Sequence, residues 1–215
     1  MNSLNHPASS FFGSDEDFEK LKNSESSTIL VVSDSHGNVS MLQRIFLKHG
    51  KACDGFCFCG DGLSDLTECF SMASADSELK KAIPPCIVAV SGNCDFGSQS
   101  FFTNLRKDSQ QEDASFSEAA LLTASGFKIF VTHGRSHDNF SSINYLSDIA
   151  EANSAEIVLF GHSHIPEYTQ RENRVFVNPG SITFPRGKQP TPQFGILKLT
   201  KGKIPQFGPL VTVGL

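Results

Sequence analysis

Apolar residues along the chain fall into short continuous runs, separated by stretches with helical spacing and by clusters of Gly, Pro and polar residues. "TILVVSD" (28–34), "GFCFCGD" (55–61) and "PPCIVAVSGN" (84–93) are such runs, the last entered through a pair of prolines. Runs of this length bounded by turn residues predict buried strands. Between the first two, "VSMLQRIFLKHG" (39–50) has its apolar side chains at helical intervals and ends in Gly, and a second helical stretch is expected from about Ser64 to Lys81. Strand, helix, strand, helix, strand in this order implies parallel pairing with helices on the faces.

The closing half is richer in strands. "EAALLTASGFKIFVTHG" (118–134) reads as a hairpin around Ser125-Gly126 with apolar residues on both arms. A helix is expected near Ser141 to Asn153, followed by the strand "EIVLFGHSH" (156–164). "RVFVNPGS" (174–181) and "FGILKLTKGKIPQF" (194–207) add further strands, the latter turning at Lys201-Gly202. No internal repeat is found. An α/β opening and a β-rich closing half predict two packed sheets flanked by helices.

Two segments break the pattern. Residues 1–27 are rich in Ser, Asn and acidic residues and poor in aliphatic ones, so a mobile N-terminal extension is expected, with a single domain over 28–215. The alternative is an arm: Ser14 and Asp17 resemble a capping box, and Phe11, Phe12, Phe18 and Leu21 suit one short amphipathic helix that docks on the domain or on a second copy, as in a homo-oligomer. "RKDSQQEDASF" (106–116) is polar and reads as a loop.

Composition narrows the function more than the fold. A net charge of −5 argues against duplex nucleic acid as a partner, since such binders carry a basic excess. It leaves room for an anionic substrate wherever bound cations reverse the local field. Most of the six cysteines, such as Cys57 and Cys59 in "GFCFCGD", lie in apolar strand-like runs and read as small core residues, which fits a reducing cytoplasm. Cys53, Cys57 and Cys59 lack the paired spacing of a zinc knuckle. No run approaches the ~20 apolar residues of a membrane span, and the N-terminus does not read as a secretory signal.

The chemistry sits where strands end. "VVSDSHGN" ends in Asp34 and His36, "FCFCGDG" in Asp61, "VAVSGNCD" in Asn93, "KIFVTHG" in His133, and "VLFGHSH" in His162 and His164. In α/β folds, ligands bind beyond the carboxyl ends of the strands. Residues two apart in an extended segment face the same way, so Asp34 with His36, and His162 with His164, can line one cavity. A set of imidazoles and carboxylates suits Mn, Fe, Zn or Ni. His6, His49 and His137 lack this setting and read as surface or hydrogen-bonded histidines.

The motifs "DSH", "GDG", "GNCD", "THG" and "GHSH", in this order, resemble the signature of calcineurin-like metallophosphoesterases over about residues 28–205. The short length, "GNCD" and "NPGS" (178–181) are most similar to the small YfcE-type phosphodiesterase branch, which also contains the non-catalytic retromer scaffold subunit. The resemblance implies a four-layer αββα sandwich of two mixed β-sheets flanked by helices, with two divalent metal ions at the strand ends, Mn first among the candidates. One ion would be held by Asp34, His36, Asp61 and His164. The other would be held by Asp61, Asn93, His133 and His162, with Asp61 bridging. It further implies hydrolysis of a small or nucleotide-like phosphate diester by a metal-held hydroxide. A phosphomonoesterase or phosphoprotein phosphatase is the alternative within this chemistry, and a retromer-like scaffold the alternative outside it.

Charge explains the amide at position 93. Two divalent cations bring about +4, while Asp34, Asp61 and a bridging hydroxide return about −3, leaving a positive surplus for phosphate. An aspartate at 93 would cancel it; the neutral carbonyl of Asn93 does not. Two positions depart from the family pattern. Cys94 stands where many relatives carry a His that meets the leaving group as a general acid, and a thiol is a weak hydrogen-bond donor. Arg135 in "THGRSHD" replaces a common His; it suits either bidentate phosphate binding or a solvent-facing loop. Asp95 is expected to fix its loop by accepting backbone or histidine hydrogen bonds, and "NPGS" to form a tight turn shaping the site wall.

Overall fold

A computed structural model describes residues 10–95, 99–102, 111–114, 116–134 and 142–212, with 99–102 and 111–114 described at the level of the backbone. In chain order the elements are β1 (Phe11–Phe12), α1 (Asp15–Asn23), β2 (Ser26–Val32), α2 (Val39–His49), β3 (Gly55–Phe58), α3 (Leu63–Ala75), α4 (Ser77–Ala82), β4 (Cys86–Ala89), β5 (Gln99–Phe102) and β6 (Gln111–Ala114). They continue with β7 (Ala119–Ala124), β8 (Phe127–Thr132), α5 (Ile143–Ala152), β9 (Ile157–Leu159), β10 (Glu167–Arg171), β11 (Arg174–Asn178), β12 (Gln193–Thr200) and β13 (Gln206–Val211). One sheet has the order β1-β4-β3-β2-β12-β13 and a second β10-β11-β9-β8-β7, while β5 and β6 form a separate ribbon.

Both sheets are mixed. In the first, β2, β3 and β4 run parallel, with Val31 beside Cys57 and Cys57 beside Val88. In the second, β8, β9 and β11 run parallel, with Ile157 between Ile129 and Val175. Antiparallel strands flank each parallel core. Because parallel strands start and stop together, both sheets deliver their carboxyl ends to the same rim of the sandwich.

The pleat sorts the side chains into layers. Leu30, Val32, Phe56, Phe58 and Ile87 point outward to Leu42, Phe46, Leu66, Phe70 and Leu79 of α2, α3 and α4. Ile29, Val31, Cys57 and Val88 point inward and meet Leu122, Ile129, Ile157 and Val175 of the second sheet. On its far side, Phe130, Val158 and Phe176 cover Leu146 and Ala150 of α5. The result is the expected αββα sandwich of two mixed sheets flanked by helices. Cys53, Cys57, Cys59, Cys69 and Cys86 are buried free thiols within these layers, as expected.

Four expectations need correction. Residues 10–25 are not a loose extension. Ser10 and β1 add an edge to β4, with the Ala89 N–H donating to the Ser10 carbonyl (2.9 Å). Helix α1, capped by Ser14, buries Leu21 between the sheets and accepts the N–H groups of Ser125 and Gly126 at its end. Residues 1–9 lie outside the described residues. The single helix expected over 64–81 breaks at Asp76, whose carboxylate accepts the N–H groups of Glu78 and Leu79 and so starts α4. Within the polar segment 106–116, residues 111–114 pair with β5 as a strand. Finally, β10 forms a hairpin with β11 that the apolar pattern did not reveal.

Candidate metal centre

All seven residues expected as ligands converge at the shared rim. Asp34 and His36 follow β2, Asp61 follows β3, Asn93 follows β4, His133 follows β8, and His162 and His164 follow β9. The backbone there is unusual. Asp34, His36, Asp61, His162 and His164 account for five of the eight described non-glycine residues with positive φ, at values from 41° to 65°. Each left-handed turn costs free energy that an ordinary loop would avoid, and such strain concentrates at functional sites. Here it swings side chains inward that a regular strand would alternate. Close approach also requires glycine: a Cβ at Gly92 would land on Asp61 Oδ1, and one at Gly161 on Ser33 Oγ.

The donor atoms face one another. Asp34 Oδ1 lies 3.2 Å from His164 Nε2 and 3.8 Å from His36 Nε2, and those two imidazole nitrogens are 3.1 Å apart. Asp61 Oδ2 sits between the two halves, 3.8 Å from His36 Nε2 and 3.3 Å from His133 Nε2. Asn93 Oδ1 is 3.2 Å from His133 Nε2, and the His162 ring packs edge-on against His133 at a centroid distance of 5.1 Å. Among the described residues, the triads Asp34–His36–His164, Asp34–Asp61–His133 and His36–Asp61–Cys94 each have one donor atom per residue mutually within 4.8 Å.

Two observations show that these residues fit a cation. His133 Nδ1 donates to the Cys59 carbonyl and His164 Nδ1 to the Phe184 carbonyl, both at 2.7 Å. A carbonyl only accepts, so in the neutral rings the Nε2 lone pairs point into the cluster. Asp34 Oδ1 is also buried with no donor in hydrogen-bonding geometry. Lone pairs on nitrogen, carboxylate and amide oxygen thus crowd one space, an arrangement that needs positive charge.

The proton affinities say the same. Burial works against charge on Asp34 and Asp61, yet the facing imidazoles, His164 and His36 for the first and His133 for the second, hold both carboxyls below their ordinary value. Burial likewise opposes protonation of His133 and His164, but Asp61 and Asp34 outweigh it and raise both. His162 is lowered, by burial and by the charge of His133.

A supporting layer holds the donors in place. Asp95 accepts four backbone N–H groups, from Asp61, Gly62, Leu63 and Gly92, at 2.8–2.9 Å, which ties the β3 and β4 loops together as expected. Ser181 Oγ donates to the Asp34 carbonyl, and Asn178 Nδ2 to the Gly161 carbonyl and Ser163 Oγ. The "NPGS" turn therefore clamps the β2 and β9 loops as well as closing on itself. Asp65 went unnoticed in the sequence: it is buried and accepts from Ser35 Oγ and the Gly37 N–H on either side of His36. The available signal was an acid four residues after Asp61, between Leu63 and Leu66. Thr183 Oγ1, equally unanticipated, donates to the Ser35 carbonyl.

Cys94 is exposed at the mouth of the cluster. Its N–H donates to Asp61 Oδ1 at 2.7 Å, and Asn93 Nδ2 donates to its Sγ at 3.3 Å. Burial and the neighbouring Asp61 push the thiol up to about 11. Arg135 and His137 lie outside the described residues. No described helix is long and apolar enough to cross a membrane.

Comparison with known proteins places these features in context. The pattern of the calcineurin-like phosphoesterase superfamily domain matches residues 28–202. The probable metallophosphoesterase YsnB of Bacillus subtilis is 33% identical over 174 residues, spanning 80% of this chain and 83% of that one. The phosphodiesterase YfcE of Escherichia coli K12 is 23% identical over 177 residues, spanning 79% and 86%. Among solved structures, Vacuolar Protein Sorting 29 of Cryptosporidium parvum has the same fold, with a TM-score of 0.62 at 17% identity over 87% of this chain and all of that one.

Proposed function

The chain belongs to the calcineurin-like phosphoesterase superfamily, and from that membership we propose that it is a dinuclear metal-dependent phosphodiesterase. The observation that carries this reading is the position of Asp61 Oδ2 between the His36 and His133 nitrogens. One carboxylate oxygen reaching both halves of a donor cluster suits a ligand shared by two ions.

When bound, two divalent cations, Mn first among the candidates, supply Lewis-acid charge for the phosphoryl oxygens and a nucleophilic oxygen from water. Asp34, His36, Asp61 and His164 would hold one, and Asp61, Asn93, His133 and His162 the other. The chain's own residues set the selectivity. Asn93 contributes an oxygen without charge and so keeps the surplus that an anionic ester needs. Cys94, with its raised thiol, is a poor proton donor to a leaving group, which favours diesters whose leaving groups depart without one. The name of the relative YfcE supports a diester over a monoester. Every ligand position carries a competent donor, which favours an enzyme over a scaffold.

The test is hydrolysis of bis-p-nitrophenyl phosphate and p-nitrophenyl phosphate by metal-stripped protein reloaded with Mn²⁺, beside Asn93→Ala. The expected result is metal-dependent turnover that favours the diester and is lost in the variant. Preference for the monoester would move the assignment to a phosphomonoesterase. No turnover of either by protein holding two ions per chain would overturn the assignment to this chemistry and favour a scaffold.

A further inference from the structure

The loop after the "NPGS" turn places an aromatic ring at the rim of the metal centre with unusual economy. Phe184 is 56% exposed and belongs to none of the three apolar clusters. Its ring lies beside His36 instead, at a centroid distance of 5.5 Å and an interplanar angle of 46°. Both of its backbone groups are committed to the centre: the N–H donates to Ser181 Oγ (2.9 Å), and the carbonyl accepts from His164 Nδ1 (2.7 Å). Thr183, just before it, is pinned through its hydroxyl to the Ser35 carbonyl (2.7 Å). Just beyond it, the Arg186 N–H donates to the His164 carbonyl (3.0 Å), and the Arg186 side chain lies within Coulombic reach of the His164 ring.

Exposed phenylalanines are ordinary when they sit on a surface with nothing to organise them. This one has its backbone held on both sides by residues that also hold the candidate metal ligands, so its ring is carried beside His36 before anything binds. An aromatic face fixed in advance spends little ordering entropy on a flat partner. A cation on the same loop favours a partner that is also anionic.

We infer that Phe184 is a stacking shelf for the base of a nucleotidyl ester whose phosphate lies at the metal centre, with Arg186 adding positive charge at the rim. The inference rests on the reading of the centre as a phosphate site, and narrows the substrate to the nucleotide class. Phe184 then acts on specificity by binding the part of the substrate that does not react. Stacking of one base on one aromatic side chain leads us to expect an affinity gain of roughly tenfold.

The test compares AMP with ribose 5-phosphate, which has the anomeric hydroxyl in place of the base, in calorimetric titrations of Mn²⁺-loaded protein. The wild-type protein is expected to bind AMP about ten times more tightly than ribose 5-phosphate. Phe184→Ala should bring that ratio close to one, whereas Phe184→Tyr should keep it. Equal affinities in the wild-type protein, or a ratio that survives Phe184→Ala, would overturn the shelf. Because binding is read without turnover, a protein that binds AMP through Phe184 yet hydrolyses no ester would keep the shelf and lose the proposed activity. One that hydrolyses esters with no base preference would do the reverse.

Discussion

The two ends of the sandwich are built from the same strands and serve opposite purposes. At the end where β2, β3, β8 and β9 begin, the chain is sewn shut: α1 buries Leu21 between the sheets, and the hydroxyls of Ser24 and Ser27 each bond to that of Ser125 in the hairpin turn. At the end where these strands stop, five left-handed turns aim carboxylates and imidazoles at a common space and leave a buried Asp34 oxygen without a hydrogen-bond donor. One end contributes stability; the other holds strain and uncompensated lone pairs for chemistry. Polar groups are buried at both ends, and what separates them is whether those groups satisfy each other or await a cation.

That contrast can be broken by mutation. The largest effect should come from Asp61→Asn. It leaves the shape nearly unchanged but removes the charge shared by both halves of the centre. Turnover of the Mn²⁺-loaded enzyme should fall on the order of a thousandfold, about 4 kcal/mol of transition-state stabilisation. The unfolding midpoint of the metal-free protein should not fall, and a large drop in urea titrations would show that this end also carries the fold. Leu21→Ala should do the opposite. Loss of a buried leucine at the sewn end should cost about 3 kcal/mol of stability by urea denaturation, with kcat per folded molecule kept within twofold. A tenfold loss of kcat would mean that the arm acts on the centre. Asp95→Asn should fall between, because Asp95 orients the loops without occupying the centre. Metal affinity, measured by competition with a chelator, should weaken roughly 10- to 100-fold, as for other groups that orient ligands. An unchanged affinity would make Asp95 a fold residue only.

The same division explains what could be read from the sequence. The parallel strands were legible because each is a compact apolar run, and the candidate ligands because each follows such a run, most of them beside glycine. Placing Asp34, His36, Asp61, Asn93, His133, His162 and His164 in one cluster followed from the rule that ligands bind beyond the carboxyl ends of the strands, while their division between two ions came from the family resemblance. Features that depend on tertiary partners were hidden. The arm is polar over most of its length and docks through a few residues, Leu21 above all, so composition pointed to a tail. The strand β10 lies at a sheet edge with a mostly polar sequence and carries no apolar signature. The break at Asp76 is made by a side chain capping the next helix, which helical spacing alone does not report. Asp65 and Phe184 stand out for what they touch, the residues flanking His36 for the first and the His36 ring for the second, and no spacing along the chain shows that.

Asp61 is proposed to join two ions in one centre. Manganese content and electron paramagnetic resonance of the reloaded protein test it most directly. Two Mn²⁺ per chain are expected, with an exchange-coupled signal that is lost in Asp61→Asn. A single ion per chain, or two that give only the uncoupled mononuclear spectrum, would contradict it.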